Sequence, residues 1–136
     1  ILSIRFKSGY TGETIKLLEA SMQIQSASDK VESVIYLNPT VAGTFTYVDE
    51  SQSAIQVARG ATANTVTGGY AIDGTFLESG GTAAGGAGSA AGRVNNAIRL
   101  GSLIDGTVDT IVLCARPIGG STGVEVEGSL TWQELT

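Results

Sequence analysis

The clearest chemical pattern in the sequence is the glycine-rich segment SGGTAAGGAGSAAG, residues 79–92. Gly86, Gly88 and Gly92 approximate the fingerprint of a dinucleotide-binding loop, and Asp109 follows at about the spacing of a ribose-binding carboxylate. That fingerprint needs a strand before the loop and a helix after it, because the helix N-terminus binds the phosphates. The flanking residues fit neither element, and no Lys-Ser or Lys-Thr follows the glycines as in a P-loop. We therefore expect a Gly-rich loop, either flexible or closely packed, and no bound nucleotide.

Two pairs of acidic residues have the right type for acid–base catalysis or calcium binding: Asp49 with Glu50, and Glu125 with Glu127. Adjacent residues of an extended chain point to opposite faces, which separates Asp49 from Glu50. Glu125 and Glu127 share a face, but it is the polar face of an amphipathic strand. No D-x-D-x-D-G calcium loop is present. We expect solvated carboxylates and no metal site.

Nucleophilic catalysis finds little support in the sequence. The chain has no His, which removes the usual general base and the commonest metal ligand. A Ser–Lys dyad remains, but Lys7, Lys16 and Lys30 lie in no recognisable motif. The single cysteine, Cys114, lies in the apolar run TIVLCA, where we expect a buried and inert thiol. The sequence therefore predicts no catalytic residue, no cofactor and no enzyme.

Composition limits the partners further. The formal net charge is −5 with no cluster of basic residues, so we expect no nucleic-acid binding. No run approaches the roughly 18 apolar residues of a membrane span, and we expect no membrane insertion. Charged residues make up 15% of the chain against a usual value of about 25%. Small polar residues, or contacts with other subunits, must therefore cover much of the surface. The chain begins at Ile1 rather than at Met, so we also expect it to be part of a longer protein or a processed product.

The hydrophobic pattern is that of β-strands. The clearest strand is at 124–133, where Val124, Val126, Leu130 and Trp132 alternate with polar residues. Trp132 shares this apolar face, and we expect it to pack in the core rather than to bind a sugar. Strands are predicted at 2–7, 14–25, 31–38, 44–48, 53–58, 70–78, 94–100, 108–116 and 124–133.

Three local features of this pattern need interpretation. The segment ETIKLLEASMQIQ has Ile15, Leu18 and Met22 at helical spacing, but also Leu18, Ala20, Met22 and Ile24 at strand spacing. We favour a strand, because SASDK then makes a turn into the next strand and a long hairpin. A second hairpin is expected between the last two strands across the turn-rich PIGGSTG. Gly74 is interpreted as a bulge.

Short strands with turn residues between them predict one all-β domain over residues 1–136. No alternation of strands and helices is visible. The expected fold is an antiparallel β-sandwich or jelly roll of about eight to nine strands.

Three segments carry a resemblance to a known class of module. The segments are VIYLNPTVAGTFTYVDESQSAIQV (34–57), SLIDGTVDTIVLCARPIG (102–119) and VEVEGSLTWQEL (124–135). Together they resemble a β-sandwich module of tailed-bacteriophage virion proteins. The resemblance implies a structural part of a tail fibre, a receptor-binding protein or a capsid decoration, commonly assembled as a trimer. It transfers no binding residue, and the long glycine-rich insertion before Arg93 departs from it.

The expectation that follows is a non-enzymatic structural component of a virion. Its expected partners are copies of itself in a homotrimer, other virion proteins and a host receptor or glycan. The alternative is a monomeric carbohydrate-binding module appended to an enzyme, which requires an exposed aromatic platform.

Overall fold

The computed structural model describes residues 1–10, 12–25, 29–60, 64–78, 87–89, 99–103, 105–121 and 123–135. Within these ranges the chain forms twelve β-strands and no helix, which confirms the all-β prediction. In chain order the strands are β1 (Leu2–Phe6), β2 (Thr14–Ile24), β3 (Lys30–Leu37), β4 (Thr40–Ala42), β5 (Tyr47–Asp49), β6 (Ile55–Arg59), β7 (Thr65–Thr67), β8 (Tyr70–Glu78), β9 (Ala87–Ser89), β10 (Arg99–Leu100), β11 (Thr110–Pro117) and β12 (Val126–Leu135). The short strands β4, β7 and β9 lie outside the nine predicted ones.

The strands form two packed sheets and a small ribbon. The large sheet has six strands in the order β5-β6-β1-β11-β3-β8. In the small sheet β2 is central, with β12 along one edge and the short strands β9 and β10 along the other. β4 and β7 pair only with each other. All these pairings are antiparallel, so the predicted antiparallel β-sandwich is confirmed.

The core lies between the two sheets because apolar residues alternate along the strands. From the large sheet the contributing side chains include Ile4, Phe6, Ile111, Leu113, Val31 and Ile35. The register places Ile4 opposite Ile111 on the neighbouring strand, so their side chains lie on the same face. Each fully buried side chain of this size contributes roughly 1.5–3 kcal/mol of stabilisation.

The ambiguous segment at 14–24 is a strand with a bulge. The register opposite β12 passes from Leu17, paired with Trp132, to Glu19, paired with Thr131, so Leu18 is the extra residue. Ile15 and Leu17 are buried on one side of the bulge, and Ala20, Met22 and Ile24 are buried on the other. The bulge shifts the phase of the alternation by one residue. This shift explains why the sequence matches a helix and a strand at once.

Both hairpin predictions are wrong, because each proposed pair divides between the sheets. β11 pairs with β1 and β3, whereas β12 pairs with β2. β2 likewise does not pair with β3. In β11 Ile111, Val112 and Leu113 are all buried, so the strand is covered on both faces and occupies a central position in its sheet. The turn residues between two strands do not show whether the chain crosses from one sheet to the other.

The face of the large sheet that points away from the small sheet is also partly covered. Ser3, Ala58 and Val112 alternate with core residues along their strands but are buried. Tyr47 covers part of this face: its hydroxyl lies 2.7 Å from Ser3 Oγ, and Ser3 Oγ donates to Ile111 O (2.9 Å). The guanidinium of Arg5 lies 3.8 Å from the centre of the Tyr47 ring, a cation–π contact.

The structure also corrects the position of a second bulge. In the register of β3 with β8, Ile35 pairs with Asp73 and Tyr36 pairs with Ala71, so Ile72 is the extra residue. Gly74, the predicted bulge, pairs regularly with Val34. A side chain at Gly74 would bring its Cβ to 3.2 Å from Ser33 O, so the glycine permits a close approach of two strands.

Candidate functional site

A cleft opens along one side of the sandwich because the two sheets differ in width. One row of side chains runs across the inner face of the large sheet from Ile111 through Ile4 and Val57 to Val48. Val57 is 4% exposed, whereas Val48, one strand further out, is 64% exposed. The small sheet ends at β12 on this side. The small sheet therefore covers this row of side chains as far as Val57 of β6 and leaves Val48 of β5 uncovered.

The cleft has a volume of about 600 Å³, and apolar side chains form the larger part of its lining. One wall comes from the large sheet and includes Leu2, Val57 and Leu113. The opposite wall comes from β12 and includes Leu130 and Trp132. A space of this size accommodates a small ligand or several side chains of another protein segment.

Charged side chains lie at the rim of the cleft and carry both signs. Arg59, the last residue of β6, and Glu50, the residue after β5, belong to the bank formed by the large sheet. Glu127 belongs to the bank formed by β12. Arg59, Glu50 and Glu127 are all exposed. The rim can therefore attract an opposite charge at either bank.

β12 presents an unpaired edge next to this cleft. Gln25 N donates to Glu125 O (2.8 Å), so the backbone groups of residue 125 point toward β2. Successive residues of an antiparallel strand point their N–H and C=O groups in alternating directions. The groups of Val126, Gly128 and Leu130 therefore point away from β2, and the described residues contain no strand paired there. β12 is ten residues long and contains neither Lys nor Pro, which commonly guard an exposed edge.

Glu134 closes one end of the cleft by joining the two sheets. Its carboxylate lies in β12 of the small sheet and accepts hydrogen bonds from Ser53 Oγ, from Ala54 N (3.0 Å) and from Trp132 Nε1 (3.2 Å). Ser53 and Ala54 lie in the turn between β5 and β6 of the large sheet. Burial alone would raise the pKa of Glu134, but these hydrogen bonds, together with Lys7, lower it below its usual value.

Trp132 is the aromatic side chain of the cleft wall. It is half-buried and packs against the edge of the core. The predicted core position is therefore only partly correct. Its indole N–H is used by Glu134, which fixes the orientation of the ring.

The residues of the nucleotide-like pattern do not assemble into a site. Gly86 and Gly92 lie outside the described residues, whereas Gly88 lies in β9 and pairs with Met22 of β2. Three residues of the predicted Gly-rich loop therefore form a strand, where the fingerprint requires a loop that leads into a helix. Asp109 accepts hydrogen bonds from Asn38 Nδ2 (2.8 Å) and Gly101 N (3.1 Å). The Asp109 carboxylate therefore links the connection between β3 and β4, which contains Asn38, to the connection between β10 and β11, which contains Gly101.

Of the two acidic pairs, Asp49 and Glu50 are separated as predicted. Asp49 accepts a hydrogen bond from Gln56 Nε2 (2.8 Å), while Glu50 lies at the cleft. Glu125 and Glu127 are both exposed, which confirms a solvated row. Among the described residues, no three His, Cys, Asp or Glu side chains lie close enough together to hold a metal ion.

The basic and thiol candidates have structural contacts. Lys7 Nζ donates to Glu50 O (2.6 Å), and Lys30 Nζ forms an ion pair with Glu78 Oε1 (3.2 Å). Lys16 lies in β2 opposite Gln133. Cys114 is half-buried rather than fully buried; burial raises the pKa of its thiol, and Sγ lies 3.5 Å from Val34 O. No helix in the described ranges is long and apolar enough to cross a membrane.

Comparison of the chain with known protein families, with curated proteins and with solved structures gave no match in any of the three. An inference about function therefore depends on the fold and on the cleft.

The sequence contains a signal for Glu134 that the predictions above do not use. The apolar face of β12 continues from Val126 through Leu130 and Trp132 to Glu134. A carboxylate at such a position needs hydrogen-bond donors from another element. Val48 gave no such signal, because its exposure depends on the widths of two sheets whose strand order is not local in sequence.

Proposed function

We propose that this chain is a non-enzymatic structural component of a bacteriophage virion, a module of a tail fibre, receptor-binding protein or capsid decoration that assembles as a homotrimer. The observation that carries the proposal is the side of the sandwich on which the long edge of β12, paired with no other strand among the described residues, lies next to the cleft. A surface of this kind is usually covered by another chain.

Two further features support an assembly module. Only 15% of the residues are charged, so there is little charge repulsion to keep copies of the chain apart. Glu134 and Asp109 accept hydrogen bonds from backbone and side-chain groups that hold the fold together, and Glu78 and Glu32 form ion pairs with Lys30 and Arg116. The virion setting itself comes from the sequence resemblance.

The alternative, a carbohydrate-binding module, needs aromatic rings on one face. Two aromatic side chains of β8 are strongly exposed: Tyr70 at 76% and Phe76 at 72%. The register pairs Tyr70 with Leu37 and Phe76 with Glu32, positions on opposite faces of β3. These two rings therefore cannot form one platform, and we do not propose glycan binding by them.

Two measurements test the proposal. Light scattering of the purified chain is expected to give three times the monomer mass at all but the lowest concentrations. An antibody raised against the chain is expected to label tailed-phage particles in electron micrographs, at tails or on capsids. A monomer at every concentration would contradict the trimer, and particles that contain the protein only as a contaminant removable by gradient purification would contradict the virion role.

A further inference from the structure

The cleft side of the sandwich combines three features that a subunit interface needs. It has an apolar centre, formed by residues such as Leu2, Val57 and Trp132. It has an exposed apolar side chain at its margin, Val48, in the same row as buried core residues. It also has backbone groups along β12 that pair with no strand in the described part of the chain. We infer that this side is the surface through which copies of the chain associate, an inference that rests on the proposed homo-oligomer and assigns its interface.

The charges at the rim favour another copy of the chain as the occupant. The bank of the large sheet carries Arg59 beside Glu50, and the bank of β12 carries Glu127. Copies related by rotation about a common axis can therefore bring the β12 bank of one copy to the Arg59 bank of the next. In that arrangement the cation meets the carboxylate, and both partners of the contact come from one sequence.

The edge of β12 explains why the contact would be specific. Backbone groups of Val126, Gly128 and Leu130 point toward the open side, where a strand of a neighbouring copy can pair with them. On the same side of the large sheet the terminal strand is β5, which is only three residues long. β12 is therefore the long edge that a neighbouring subunit can cover.

Val48→Asp is the direct test, because it puts a charge into the row beyond Val57. Leu103→Asp is a matched control: Leu103 is 65% exposed against 64% for Val48, and it lies in the connection between β10 and β11, outside the cleft. Light scattering over a dilution series is expected to show that Val48→Asp raises the dissociation constant of the oligomer by about tenfold or more. Leu103→Asp is expected to leave it unchanged. Circular dichroism checks that both variants fold.

A charge exchange gives a second, independent test. Arg59→Glu is expected to weaken association, and the double variant Arg59→Glu/Glu127→Arg is expected to restore it. Trp132, the only tryptophan, reports the same event, because its emission should shift to shorter wavelength as the cleft is covered.

The outcomes separate this inference from the proposed function. If the wild-type chain is an oligomer and neither Val48→Asp nor Arg59→Glu weakens it, the interface lies elsewhere while the homo-oligomer remains. If the wild-type chain is a monomer throughout, both are overturned. A monomer whose Trp132 emission shifts only when an extended apolar peptide is added would assign the cleft to a different partner.

Discussion

The two ends of the contact between β12 and the large sheet are built differently. At one end Glu134 accepts hydrogen bonds from the β5–β6 turn, and nearby Phe6, Ile15 and Ile55 are almost fully buried. Further along β12 the cleft opens between the two sheets. Trp132, which lies in the wall of this cleft, is only half-buried. One strand thus contributes both to a sealed core and to an open surface. The sealed end maintains the fold, which leaves the open end free to vary or to bind.

The largest expected difference between the two ends is in the cost of removing an aromatic side chain. Phe6→Ala in the sealed end is expected to lower the free energy of unfolding by about 3–5 kcal/mol, because it leaves an enclosed cavity. Trp132→Ala is expected to cost about 1–2 kcal/mol despite the larger ring, since the lost volume opens into the cleft and only part of the ring is buried. Urea unfolding followed by circular dichroism measures both.

The protein concentration must be the same for both variants, because an oligomer gains stability from association. Equal costs for Phe6→Ala and Trp132→Ala would contradict the difference between the ends. That result would mean that the cleft is closed in solution and that Trp132 is a full member of the core.

The next largest effect concerns the carboxylate that joins the sheets. Glu134→Gln is expected to lower the free energy of unfolding by about 1 kcal/mol at neutral pH, because both carboxylate oxygens accept hydrogen bonds and an amide has only one acceptor oxygen. The pKa of Glu134 is lowered in the folded chain, so its contribution is present above the unfolded pKa of about 4.3. The contribution disappears as the pH falls through the lower, folded pKa.

Denaturant titrations of wild type and Glu134→Gln between neutral and acid pH test this dependence. The two curves should lie apart at neutral pH and converge at acid pH. Glu127→Gln on the same strand is the control, since Glu127 lies at the cleft rim and is exposed. A constant gap between wild type and Glu134→Gln down to strongly acid pH would contradict a role for the charge.

The sequence predicts individual strands better than their arrangement. Alternation along β1, β3 and β12 and the continuous apolar run of β11 reflect local burial, so the strands and the sandwich class can be read from them. The pairing of β11 with β1 and β3 cannot, because it depends on contacts between distant parts of the chain. Turn residues in PIGGSTG indicate that the chain changes direction but not that it changes sheet.

The same limit applies to the cleft. Most of its lining residues are apolar like core residues, and the sequence around Val48 does not show how far the opposite sheet extends. What opens the cleft is the number of strands in each sheet. The bulge at Leu18, in contrast, does leave a local signal in the sequence. The extra residue produces the mixture of helical and strand spacing in this segment.

The smallest expected effect is at Gly128, which faces the cleft from β12. A Cβ at this position would lie 3.1 Å from Leu113 Cδ2 and 3.8 Å from Met22 Cε, both ends of side chains. Because Leu113 borders open space, it can move by a few tenths of an ångström at little cost. Replacing glycine within a strand also removes a conformational penalty of roughly 0.5–1 kcal/mol. Gly128→Ala is therefore expected to be neutral or to stabilise the chain by up to about 0.5 kcal/mol.

Gly69→Ala is the contrasting control for this last change. Gly69 has a φ of +75°, and its added Cβ would lie 2.8 Å from Leu37 O, a backbone atom that cannot move away alone. It should destabilise the chain by more than about 1 kcal/mol, and urea unfolding of the two variants measures both signs. If Gly128→Ala were as harmful as Gly69→Ala, Leu113 would have no room to move. The cleft would then be as tightly packed as the end closed by Glu134, and the distinction between the two ends of β12 would fail.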